Sequence, residues 1–396
     1  MEQVLSGLRV LDFGRYVAGP YCATLLGYLG AEVMRVERIG GGEDRAIAPV
    51  TEGGEGAVFL QTGCNKRSIC LKLGHQDAQE VVAKLVQTAD VVVANFPAAT
   101  LAKLGLDLAS LQQHKPDIIL ANVTAFGDTG PWAKRGGFDG VGQTMSGAAY
   151  MTGTPGTPAK AAAPYVDYCS AVLAAFGVLA ALRERDASGQ GQQVSGTLLG
   201  TAMAVFNSHS IEQGVLGVDR EGTGNRVQTS APSDVFATTD GHVLVHCPGD
   251  AVFRRWTQLL GLEHWNDDPR FANDQSRGDH RDEICQPMVQ WCAARSTEDA
   301  LETLANAGVP AGPVLTPQQA LDHPQVAAID ILRSVSYPGA PAPAPVAGLP
   351  VSLSLSPGPD VRTRPPTLGE HTDQVLEELG YNQEQINRLR DQGLVS

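Results

Sequence analysis

Residues 8–37 read LRVLDFGRYVAGPYCATLLGYLGAEVMRVE. The apolar run Leu8–Phe13 stops at Gly14, as a short buried strand does. Pro20 opens a helical pattern carried by Leu25, Leu26 and Leu29 and ended by Gly30. Glu32–Glu37 then reads as a second strand. A parallel pair needs a crossover, and a helix supplies it, so this stretch is the opening of a parallel α/β unit.

The same rhythm continues downstream. Ser68–Leu73 reads as a strand and Asp77–Ala89 as a helix with Val81, Val82, Leu85 and Val86 on its apolar side. Asp90–Phe96 is a Val-rich strand. A helix containing Leu108 and Leu111 leads to another strand at Asp117–Val123. Four or five such strands predict an α/β protein with a doubly wound, Rossmann-like large domain, its sheet covered by helices on both faces. Gly137–Thr152 reads as a helix and turn, 153–158 as a flexible loop, and Val166 to about Glu184 as a long helix. Thr197–Gln213 reads as a further helix.

The pattern changes near Gly214. Val235–Thr239 and His242–Cys247 flank Asp240-Gly241, a hairpin signal. Helical segments follow at Ala251–Leu260, Glu283–Ala294 and Thr297–Ala307. The expected organisation is therefore 1–213 as the first part of the large domain, 214–229 as a linker and 230–325 as a smaller α+β domain. Residues 326–370 form an extended linker, Pro- and Ala-rich over 337–350, and 371–396 a helical return to the large domain.

A formal net charge of −14 repels nucleic acid and anionic membrane, and neither is expected as a partner. It does not exclude a small anion, because screening confines distant charges to about 8–10 Å. The seven cysteines contain no CxxC pair. They read as buried free thiols of a cytoplasmic protein, and no metal is expected. Met1–Val10 lacks the basic-then-apolar order of a signal peptide. The near-apolar run Cys169–Leu182 falls short of the roughly 20 residues a bilayer needs.

Asp167 follows Pro164 at the start of the long apolar helix. An acid there stabilises the helix by about 1 kcal/mol. It can also be a nucleophile. A carboxylate of ordinary pKa, about 3.9, is ionised at neutral pH and needs no general base, whereas serine does. Burial would raise that pKa, and the positive helix end opposes the rise. The expectation is a poised anion that also serves the helix. Asp139, with Gln143 one helical turn on, is expected to organise the site or to cap a helix.

Eight segments taken together resemble the class III CoA-transferases, the family of formyl-CoA transferase and carnitine CoA-transferase. They are LSGLRVLDFGRYVAGP (5–20), GAEVMRVER (30–38), NKRSICL (65–71), ADVVVANF (89–96), FDGVGQTMSG (138–147), Tyr165 through Ala181 with Asp167, GVPAGPV (308–314) and GEHTD (369–373). Their order and spacing match along essentially the whole chain.

The resemblance implies a mechanism. Asp167 attacks an acyl-CoA to form a mixed anhydride, CoA thiolate returns to give an aspartyl-CoA thioester, and an acceptor acid takes the CoA. It implies CoA, or acyl-CoA, as co-substrate with a small carboxylic acid as partner, and an interlocked homodimer. It places Arg38 at the nucleotide end, Val17 and Ala18 in the first strand–helix loop, Leu71 late in a strand, and Asn95 and Phe96 at a strand end with Lys103 beyond. Arg38 and Lys103 also read as plain surface charges, Leu71 and Phe96 as plain core. Asp139 matches a family acid near the site. Tyr16, with Arg15, stands at the entry loop, where it could help select a carboxylate.

Two departures weigh against formate and oxalate as substrates. Formyl-CoA transferase carries a glutamine where Val17 stands. It also carries a run of glycines near the position of 246–250, where this chain has only Gly249. Gly40-Gly41-Gly42 reads as a turn, with no Walker pattern after it. An α-methylacyl-CoA racemase, which shares the fold, needs an acid/base pair across the α-carbon. The racemases place a histidine where Phe138 stands, and phenylalanine cannot move a proton. A nucleotide-dependent dehydrogenase is disfavoured by the missing GxGxxG, and a non-catalytic CoA-binding subunit by Asp167 in its context.

Overall fold

The computed structural model describes residues 3–356 and 358–396. These fall into two compact units. The first holds the chain up to Ser146, Ala161–Leu216 and Ile329 onward; the second holds Gly147–Lys160 and Gly217–Ala328. Residues 147–160, expected within the large domain, group with the second unit.

The first unit is built on six parallel strands, β1 (Arg9–Asp12), β2 (Glu32–Glu37), β3 (Lys66–Cys70), β4 (Val91–Ala94), β5 (Ile119–Thr124) and β6 (Gln193–Thr197). Their order is β3-β2-β1-β4-β5-β6, so the winding reverses between β1 and β4. Strand residues alternate between two apolar layers, as the period of a strand requires. Val10, Val91, Val93, Ile119 and Ala121 face the helices Ala18–Tyr28 and Tyr165–Ser188. Leu11, Val92, Leu120 and Ile69 face helix Gln76–Thr88 and the carboxy-terminal helices Thr372–Glu378 and Gln383–Asp391. This is the doubly wound sheet, with one strand more than expected. β6 is polar and only partly buried, so it carries none of the apolar signal that marks the inner strands.

Helix Tyr165–Ser188 runs 24 residues, and its most apolar window has a mean hydropathy of 1.7. By length and composition it would suit a membrane span, which the shorter apolar run in the sequence did not suggest. Half of that window is buried, with Val166, Ala171, Ala174 and Val178 in the core. The other side shows Val172, Leu173, Phe176 and Leu179 to the surface.

The second unit carries the expected hairpin, β7 (Ser233–Ala237) and β8 (His242–His246), extended by β9 (Ala311–Pro313). Phe236, Phe253, Trp256 and Phe271 fill its core. The strap after Ile329 is not wholly irregular. β10 (Leu332–Val335) and β11 (Ala344–Ala347) pair antiparallel within the segment expected as linker.

Candidate active site

Ligands of doubly wound sheets bind beyond the carboxyl ends of the strands, where the order reverses. A cavity of about 210 Å³ lies there. Its wall takes Tyr16 and Val17 from the loop after β1, Ala18 from the start of the next helix, Asn95 and Pro97 from the loop after β4, Val123 to Phe126 from the end of β5, and Leu198 after β6. Asp167 and the 133–138 segment complete it.

The loop after β1 is held from below by buried charge. Asp12 accepts the Gly14 N–H at 2.8 Å and the Lys66 ammonium at 2.7 Å, and Lys66 also donates to the Pro20 carbonyl at 2.7 Å. Neither side chain is exposed at all. Burial pulls the Lys66 pKa down and Asp12 opposes the fall. Gly14 is required here, since a Cβ would sit 2.7 Å from the Pro20 ring and 2.8 Å from the Asp12 carboxylate. From the side, Asn95 clamps Arg15, accepting its N–H at 2.9 Å and donating to its carbonyl at 2.7 Å. Asn122 braces Phe96 in the same double fashion, at 3.1 and 3.0 Å. Clamped so, the chain passes through Tyr16 with φ of 61°, left-handed and uncommon for a residue with a side chain.

Asp167 sits in the first turn of helix Tyr165–Ser188 and is 8% exposed. The residue preceding the helix is Pro164, whose side chain can cap nothing. Asp139 does so from another element. Its Oδ1 accepts the N–H of Val166 at 2.7 Å and of Asp167 at 3.3 Å. Gln143 donates to its Oδ2 at 2.6 Å, and the Gln143 side-chain oxygen accepts the Ala161 N–H at 2.8 Å. The first-turn N–H groups of the helix are thus occupied by Asp139 rather than turned to Asp167.

That changes the expected charge state. Burial, and secondarily the neighbouring Asp139, push the Asp167 carboxyl up to about 7. The helix end does not keep it at an ordinary carboxylate value, because a second carboxylate already stands there. Asp167 is a buried acid that ionises near neutrality, the kind of perturbed group that marks reactive sites. Tyr168, one residue on, is pushed up to about 12 by burial, by Tyr21 and by Asp167.

The fold brings together five of the residues singled out in the sequence as cavity lining: Tyr16, Val17, Ala18, Asn95 and Asp167. Asp139 and Gln143 stand behind Asp167. Others lie elsewhere. Leu71 is fully buried in the second apolar layer and pairs with Val395. Phe96 is half-buried against that layer. Arg38 is exposed, ion-paired with Glu43 at 2.9 Å, and bonded to the Gly41 carbonyl in the glycine turn. Lys103 is exposed on helix Ala98–Leu104. Gly249 opens helix Gly249–Leu260 in the second unit, and its N–H donates to both carboxylate oxygens of Asp274 at 3.0 and 2.8 Å.

Sequence reading missed Arg135, Phe126 and Phe138 on the wall. Arg135 stacks 4.1 Å over Trp132, which meets Phe126 edge-on. Their place after the end of β5 was the one signal that could have found them. Phe138 had drawn notice only as the place where a histidine was missing. Among the described residues, no group of three or more His, Cys, Asp or Glu could hold a metal ion.

The arrangement sets a buried carboxyl group in a mostly apolar chamber. The model of CoA-transferase family III matches residues 5–372. The chain is 34% identical to succinate–glutarate CoA-transferase of Agrobacterium fabrum, over 95% of each protein. It is 33% identical to succinyl-CoA–D-citramalate CoA-transferase of Chloroflexus aurantiacus, over 98% of this chain and 96% of that one. A crystal structure of a CaiB/BaiF family protein from Brucella suis superposes with a TM-score of 0.84 at 30% identity, covering 96% of this chain and all of that one. The chain belongs to CoA-transferase family III.

Proposed function

We propose that this protein moves CoA from an acyl-CoA donor to a carboxylic acid, with the Asp167 carboxylate as covalent nucleophile. One observation carries this: Asp167 is a buried acid, unpaired with any cation among the described residues, that opens into the cavity at the switch point of the sheet. Ionised, it attacks the donor thioester carbonyl; the C–S bond breaks, CoA leaves as thiolate, and a mixed anhydride forms. The thiolate attacks the aspartyl carbonyl, releasing the donor acid and leaving an aspartyl-CoA thioester. The acceptor carboxylate attacks that carbonyl, thiolate leaves again, and its return to the acceptor's carbonyl gives the new acyl-CoA and restores Asp167. The anhydrides conserve the activation of the thioester, so no ATP enters. Asp139 holds the start of the helix, and with it Asp167, in place.

The cavity is sized for the reacting end of the substrate rather than the whole coenzyme. We place the CoA phosphates along the strand ends toward Arg38 and Lys103. The exposed Arg38–Glu43 pair is weak enough for a phosphate to replace Glu43. The names of the relatives join succinate or succinyl-CoA to glutarate and to D-citramalate. They support succinyl-CoA as donor and a dicarboxylic acid as acceptor. Arg135, without an acid partner among the described residues, supports a second carboxylate in the cavity. The exposed apolar stripe Val172, Leu173, Phe176 and Leu179 supports a homodimer, which we take to be interlocked. Seven free cysteines, six of them buried, support a cytoplasmic setting.

Asp167→Asn tests the reading. Transfer should be lost while CoA still binds, measured by calorimetry; a near-normal transfer rate in this variant would reject it.

A further inference from the structure

The chemistry proposed for Asp167 has a competitor. An anhydride or aspartyl thioester can be attacked by water: the water oxygen bonds to the acyl carbon, the C–S or anhydride C–O bond breaks, and the water protons pass to the leaving thiolate and the new carboxylate. The net loss is one acyl-CoA and one water converted to acid and free CoA. Most of the cavity wall is apolar, with Val17, Ala18, Val123, Ala125 and Leu198. Two aromatic rings stand out. Tyr16 and Phe138 both line the cavity, their ring centres 5.0 Å apart and their planes 81° apart, an edge-to-face contact.

Neither ring is part of the packed core. Phe138 is 58% exposed, a large apolar side chain left uncovered immediately before the acid Asp139. Tyr16 holds a left-handed backbone at a non-glycine position. Strain of this kind persists only where the surroundings impose it, and here they do. Asn95 grips both backbone groups of Arg15, the Lys66–Asp12 pair grips both ends of the loop, and the Arg15 guanidinium lies 5.7 Å from the Tyr16 ring centre. The scaffold holds one ring at a fixed place, where it meets the other on the cavity lining.

We infer that Tyr16 and Phe138 form an aromatic wall that keeps water from the acyl intermediates on Asp167, and so determine whether the enzyme transfers or hydrolyses. This rests on the covalent role proposed for Asp167. Only the rings matter, not the phenol hydroxyl and not a proton carried by residue 138.

The test is the partition of one donor between two fates. The full chain is given succinyl-CoA and glutarate; glutaryl-CoA is counted by mass spectrometry and free CoA by thiol titration. Phe138→Ala and Tyr16→Gly should raise free CoA per transfer at least about tenfold, a change of about 1.4 kcal/mol in relative barriers. Glycine keeps the left-handed backbone without strain. Phe138→Leu should fall between, and Tyr16→Phe should keep the parent chain's ratio of free CoA to glutaryl-CoA, whatever its rate. An unchanged partition in both ring-removing variants would overturn the inference, as would a Tyr16→Phe variant that leaks as much as Tyr16→Gly. Hydroxylamine labelling of the parent chain separates the two claims. Labelled Asp167 with unmoved partition sinks the wall alone; unlabelled Asp167 in an active preparation sinks the covalent role and the wall with it.

Discussion

Replacing Asp167 by asparagine should make the protein more stable, and increasingly so as pH rises. The parent carboxyl titrates at about 7 when folded, against an ordinary aspartate value of 3.8. A one-unit difference in pKa between folded and unfolded chain is worth about 1.4 kcal/mol. The sign follows from proton binding: between these values the folded state holds a proton that the unfolded state has lost, so stability falls as pH rises. The penalty is absent below about pH 4, builds through the interval, and is complete above about pH 7, where it reaches about 4 kcal/mol. Between pH 5 and pH 8 it grows by about 2–3 kcal/mol. Asparagine has the same shape and no such penalty, and among the described residues no hydrogen bond to the Asp167 side chain is lost. Urea unfolding of both proteins at pH 5, 6, 7 and 8 measures this. The midpoint difference should widen to about pH 7 and then level off, with unchanged slopes. A difference that is flat across this range, or that shrinks with rising pH, would refute the claim that Asp167 is buried at a cost for its function.

Asp139→Asn keeps an oxygen for the helix N–H groups but removes the neighbouring charge, so the acidic limb of the kcat/KM profile should move to lower pH; an unmoved limb would show that the two acids do not interact. Asp139→Ala removes the cap as well and should cost about 1–2 kcal/mol of stability in urea titration. Lys66→Met leaves buried Asp12 with only the Arg35 guanidinium, 3.8 Å away, and should destabilise by about 3 kcal/mol, the lower end of what breaking a buried pair costs. Adding Asp12→Asn should recover much of that, as the four unfolding curves of a double-mutant cycle would show. Asn95→Ala frees both backbone groups of Arg15 and should lower kcat more than it raises KM in transfer assays.

The first unit was legible in its inner strands because these are buried on both faces and therefore written as near-continuous apolar runs. β6 escaped because an edge strand need not be apolar, and QVSGT is not. β3 begins at Lys66, two residues before the expected start, because the lysine is held inside by Asp12. A lysine in a strand reads as surface until its partner is known, and the partner lies 54 residues away. The cavity lining was legible where a motif and a strand end coincide, as at Tyr16 to Ala18 and Asn95, and at the helix start that carries Asp167. Arg38 and Leu71 were carried by motif alone and Lys103 by its place after a motif strand, and the fold puts none of them on the cavity. Arg135 and Phe138 follow β5 in a glycine-rich stretch with no periodicity, so only the folded chain assembles them. The ionisation of Asp167 was misjudged for the same reason. The helix end was visible in the sequence, but the carboxylate that occupies it comes from 28 residues upstream.

If acyl groups and CoA pass through a covalent bond to Asp167, that bond can be trapped. The protein is incubated with succinyl-CoA, quenched in hydroxylamine, and its peptides mapped by mass spectrometry. A hydroxamate on the peptide holding residue 167, absent from the Asp167→Asn variant, is the predicted result. An actively transferring preparation with that peptide unmodified, or with the label on another residue, would contradict the covalent mechanism.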